Sequence, residues 1–70
     1  MNQDYSSYIR ACAEMHTLLD DGWRMIGQYE VGTKDLFVLR HTNGSRLSIT
    51  VEPFCYAIKV DGILKKKVYG

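Results

Sequence analysis

Little in this chain could staple a small fold together: 70 residues hold two cysteines and one proline. Cys12 and Cys55 do not make a disulfide framework, and Asp4, Arg10, Glu14, Asp20 and Asp21 interrupt any apolar secretory segment near the start. Free thiols and a cytoplasmic setting are therefore expected. Long apolar runs are missing as well. Leu36 to Leu39 and Phe54 to Ile58 are the longest, far short of the roughly 20 residues a membrane span needs. Charge of one sign is also lacking, since nine Lys and Arg face eight Asp and Glu for a formal +1. The overall balance thus points to no polyanion.

Chemistry is equally sparse. There is no glycine-rich phosphate loop, no serine-centred elbow and no pair of carboxylates at a catalytic spacing. Cys12 and His16 are four apart, a half-site spacing for zinc, and His41 with Cys55 would have to complete it. His41 and the helix are expected on opposite sides of the sheet, which argues against that set. A cysteine nucleophile at Cys12 fails for a related reason, because its helix face is needed for the core. The expectation is a protein that is not an enzyme, with no cofactor and no metal.

What is present is 46% hydrophobic residues in two successive patterns, enough for one domain over 1–70. Tyr5, Tyr8, Ile9, Cys12, Met15, His16 and Leu19 recur at steps of three and four, the stripe of an amphipathic helix over about 4–21. Asp4 suits its N-cap, and Gly22 suits the residue that ends it. Beyond Gly22 the period becomes two. Strands are expected at about 23–31, 36–42, 45–52, 54–60 and 63–69, separated by Gly32–Asp35, Asn43-Gly44, Pro53 and Asp61-Gly62. One helix on an antiparallel meander of four or five strands is an α+β fold.

Surfaces follow from register. A two-residue type I′ loop at Asn43-Gly44 would pair Thr42 with Ser45, and hence Val38 with Ile49. Trp23, Met25, Tyr29, Val31, Leu36, Val38, Leu47, Ile49 and Val51 would then face the helix. Ile26, Phe37 and Leu39, with His41 beside them, would lie on the open face as an apolar interaction patch. At the C-terminal end Lys59, Lys65, Lys66 and Lys67, with Tyr56 and Tyr69, form a basic strand. It protects a sheet edge, meets an acidic protein partner or grips nucleic acid.

In size and in this helix-plus-meander layout the chain resembles the small accessory and inhibitor proteins of phages and mobile elements, anti-CRISPR proteins among them. That likeness implies a regulator or inhibitor that binds a larger protein partner. The leading expectation is thus a protein-interaction module, binding such a partner or homodimerising through the open sheet face. The runner-up is a small nucleic-acid-binding protein that uses the Lys/Tyr strand.

Overall fold

A computed structural model describes residues 6–69. The proposed cap Asp4 and the stripe residue Tyr5 lie outside the described residues. The fold is α+β: helix α1 (Ser6–Asp20) packs on a five-stranded antiparallel sheet. The strands are β1 (Trp23–Val31), β2 (Lys34–His41), β3 (Arg46–Glu52), β4 (Cys55–Val60) and β5 (Ile63–Tyr69), laid side by side in chain order. No described helix is long and apolar enough to cross a membrane.

Tight turns explain the meander. Asp61 (φ 51°) and Gly62 (φ 83°) both occupy the left-handed region, the requirement of a type I′ turn, and they join the paired Val60 and Ile63. The loop at Asn43-Gly44 differs from expectation. His41 is bonded to Ser45 through its amide (2.9 Å), and Gly44 donates to the His41 carbonyl (2.9 Å). Three residues, Thr42 to Gly44, therefore close this hairpin, and only Gly44 is left-handed. This is a type I turn followed by a G1-type bulge. The Asn43 side chain is used instead as an acceptor, taking the Ser45 amide at 2.9 Å.

One extra loop residue moves β2 by one position relative to β3. Leu39 now faces Leu47, Phe37 faces Ile49, and Arg40 faces Arg46. Because side chains alternate, a shift of one exchanges the two faces. Phe37 (3% exposed) and Leu39 (fully buried) are core residues, not an open patch. Leu36 and Val38 lie on the open side. The core comprises Ala11, Met15, Phe37, Leu39, Leu47, Ile49, Val51, Tyr56 and Ile58.

A second irregularity acts on β1. Met25 pairs with Leu39 but Gly27 pairs with Val38, so Ile26 is the extra residue of a bulge. Trp23 and Met25 stay on the helix side, whereas Tyr29 and Val31 pass to the open side. The expected four-residue turn at Gly32–Asp35 is also shorter. Val31 pairs with Lys34 across Gly32 and Thr33, and β2 begins two residues earlier than the pattern suggested.

The helix is rotated by about one position from its expected orientation. Ser7, Ala11 and Met15 are buried and Leu18 packs against the core, whereas Tyr8, Ile9 and Leu19 are exposed. Two small residues at the contact let the helix approach the sheet closely. The Ser7 hydroxyl donates to the Glu52 carbonyl at 2.7 Å, so its burial leaves no polar group unpaired. The expected stripe residues Cys12, Met15, His16 and Leu19 instead line an open apolar groove of about 220 Å³ against Met25.

Candidate functional site

The open face of the sheet is the candidate site. Directly paired residues share a face, so the register assigns its members. Arg24, Gly27, Tyr29 and Val31 come from β1, and Lys34, Leu36, Val38 and Arg40 from β2. Arg46, Ser48, Thr50 and Glu52 come from β3, and Cys55, Ala57 and Lys59 from β4. Leu64, Lys67 and Tyr69 complete it from β5, with Lys65 the extra residue of a bulge there. Six of the nine Lys and Arg residues thus lie on this face, all exposed. Arg10 is on the helix, Lys66 faces the helix, and Lys65 sits in the bulge.

The carboxylates are distributed differently. Glu52 is the one acidic side chain among the described residues on this face, and it pairs with Lys34 at 3.9 Å. Glu14, Asp20 and Asp21 belong to the helix side, while Glu30 and Asp35 pair with each other on the face the helix packs against. Near-neutrality overall conceals this segregation of charge.

Its densest part is a row of three arginines. Arg24 is opposite Arg40, and Arg40 is opposite Arg46. Like charges directly opposed across strands are destabilising. Among the described residues no carboxylate comes within ion-pair distance of any of the three. The nearby Asp61 carboxylate accepts instead from the Arg46 backbone amide at 3.0 Å.

Rings are added at both edges. Tyr29 is 55% exposed on β1 and Tyr69 71% exposed on β5, where the Lys67 ammonium lies 5.3 Å from the ring centre. Cys55, between Glu52 and Tyr69 in the ladder, is buried. Burial and then the neighbouring Glu52 carboxylate push its thiol above the ordinary cysteine range.

The predicted patches map onto this geometry unevenly. Of Ile26, Phe37, Leu39 and His41, Ile26 is exposed, at 52%, His41 is half-buried, and Phe37 and Leu39 are buried. His41 sits on the helix side. Its Nε2–H donates to the Asp21 carbonyl at 3.0 Å, its Nδ1 accepts the Asn43 amide at 3.2 Å, and Trp23 packs edge-on at 5.0 Å between ring centres. The ring ties the helix end to the β2–β3 loop. A β-carbon on Gly22 (φ 94°) would press on that imidazole at 3.1 Å, so glycine serves there twice.

The basic strand divides in the same way. Lys59, Lys67 and Tyr69 reach the open face, but Tyr56 and Lys66 do not. Tyr56 is 4% exposed and its hydroxyl donates to Glu14 Oε2 at 3.0 Å, and the Lys66 ammonium is bound to the same oxygen. Those two bonds, Lys66 first, hold the Glu14 carboxyl below its ordinary range, while burial and Glu14 push the Tyr56 phenol up. This triad fastens the helix to β4 and β5.

Chemical groups elsewhere do not converge. Cys12 and His16 line the groove beside the helix, whereas Cys55 is on the opposite side of the sheet. No three metal-ligating side chains cluster among the described residues. Sequence reasoning missed Arg24, Lys34, Arg40 and Arg46. The signal was present in the two arginines that flank the loop, but reading it required the loop length. No family model matches the chain, and no curated protein or solved structure is significantly similar to it.

Proposed function

We propose that this domain is a non-enzymatic nucleic-acid-binding module that lays its open sheet face along a phosphate backbone. The row Arg24–Arg40–Arg46 carries the reading. Three opposed guanidiniums cost the free fold stability, and phosphates are the anions whose planar, bidentate pairing with arginine would relieve that cost. Lys59 and Lys67 extend the positive surface across the sheet towards the C-terminal strand. The bland alternative, lysine protection of an exposed edge, accounts for β5 but not for Arg40 and Arg46 on the inner strands β2 and β3.

Salt dependence tests the reading. Fluorescence anisotropy with a labelled 20-nucleotide strand, ribo or deoxyribo, should show affinity falling by about 300-fold between 50 and 200 mM salt if six phosphates are contacted, at a single-strand slope of about 0.7 per phosphate. Replacing Arg40 by Gln should weaken binding to all sequences alike and reduce the salt slope by about one. No binding at 50 mM salt would refute the proposal. A second reading, a protein partner, is favoured by one observation: Ile26, Tyr29 and Val31 are all more than half exposed on edge strand β1. An interface built on those residues would change little with salt.

A further inference from the structure

We infer that Tyr29 is a stacking platform for an unpaired base, so that the ligand of the cationic face is single-stranded rather than duplex nucleic acid. The inference rests on the reading of that face given above, and deepens it. Its starting point is Gly27, two residues before Tyr29 on the same side of β1. A β-carbon there would lie 2.7 Å from both Cε2 and the hydroxyl oxygen of Tyr29. The glycine therefore leaves room for the phenol ring to lie down against the strand backbone, where any side chain would lift it away. The Cε2–hydroxyl edge of the ring thus rests against the strand at Gly27, and 55% of the residue remains exposed. A ring backed by a rigid sheet and open to solvent is what base stacking uses, and every base has a π-face to offer.

The dimensions of the sheet favour a single strand. Five strands span about 19 Å from β1 to β5 at the usual spacing. A major groove about 12 Å wide admits a helix or a two-stranded ribbon, not a sheet of this width. A duplex would meet the arginines only through its outer phosphates, with its bases turned inward and Tyr29 left without a partner. A single strand crossing the face would set phosphates against Arg24, Arg40 and Lys59 while its bases turned to the sheet. Tyr69 at the far edge, with Lys67 on its ring, offers a second such position. A ring over a glycine also stabilises a bare sheet position, so the test must separate stacking from mere cover.

Three ligands of equal length do so: a thymidine 15-mer, its duplex with the complementary strand, and a 15-mer of abasic residues that keeps the phosphates alone. At 50 mM NaCl the wild-type protein should bind the thymidine strand at least tenfold more tightly than the other two. Tyr29→Leu keeps an apolar cover over Gly27 without a π-face. It should lose about 5- to 150-fold on the thymidine strand, the worth of one stacked base, and change neither the abasic affinity nor the salt slope. Tyr29→Phe should bind as wild type does. Equal wild-type binding to all three ligands would overturn the stacking role while leaving the cationic face intact, and this comparison needs no variant. Binding to none would overturn the face itself, and the stacking role with it.

Discussion

Exchange of the two sheet faces can be tested at adjacent residues, Phe37 and Val38. Phe37 is 3% exposed and faces Ile49 across the ladder, beneath the edge-on ring of Tyr8 at 6.4 Å. Truncation to Ala leaves a cavity in a core of few residues, and such changes cost about 3–5 kcal/mol. A domain of this length holds roughly 3.5–10 kcal/mol in total, at about 0.05–0.15 kcal/mol per residue. Phe37→Ala should thus remove between about a third of the stability and all of it. Val38 points to the open side, opposite Ser48, and is only half-buried. Its truncation forfeits part of two methyl groups and some strand preference, about 1 kcal/mol. Circular dichroism during heating reads the difference. At about 4–8 °C per kcal/mol in this size range, Val38→Ala should melt within roughly 10 °C of the parent, and Phe37→Ala should melt far lower or be unfolded at 25 °C. If Val38→Ala were the more damaging of the two, the three-residue loop and the register built on it would be wrong.

Two further outcomes are expected. Glu14 is held below its ordinary range in the folded state, so the stability it contributes is present above the unfolded carboxyl value and lost as pH falls through the lower folded one. Acid unfolding monitored by tryptophan fluorescence should begin at higher pH for the parent than its Glu14→Gln variant relative to each one's neutral-pH stability, and identical normalised profiles would remove Glu14 from the linkage. At neutral pH the raised Cys55 thiol should be alkylated more slowly than half-buried Cys12. Mass spectrometry of partly modified native protein would count against this if Cys55 were labelled first.

Much of the architecture was legible in the sequence because it depends on periods and stop signals. The change from helical spacing to alternation at Gly22 marked the end of α1, and Gly22 adopts φ 94° as that role requires. Asp61-Gly62 was correctly a hairpin turn. What sequence could not resolve were three single-residue insertions, the loop position Thr42 and the bulge residues Ile26 and Lys65. Each leaves the elements in place but decides which way part or all of a strand points. In β2 the ambiguity was intrinsic, because Leu36, Phe37, Val38 and Leu39 are all apolar and either alternate pair could fill a core. Asn43-Gly44 suits the two-residue loop and the three-residue loop equally, since Gly44 is left-handed in both. The site inherited the error: with β2 reversed, Arg40 moves from a position opposite Leu47 to one between two other arginines.

That arginine row also makes the free domain and its complex respond to ions in opposite directions. Mutual repulsion across β1, β2 and β3 is strongest at low ionic strength, where the screening length is about 30 Å at 0.01 M, and weakest near 1 M, where it is about 3 Å. Added salt should therefore raise the melting temperature of the protein alone, and sulfate or phosphate should do so beyond their ionic strength by occupying the row. The same ions compete with any polyanion for that row. Conditions that best preserve the free protein are then those under which it holds its ligand least, and the ligand takes over the stabilising role as salt is withdrawn.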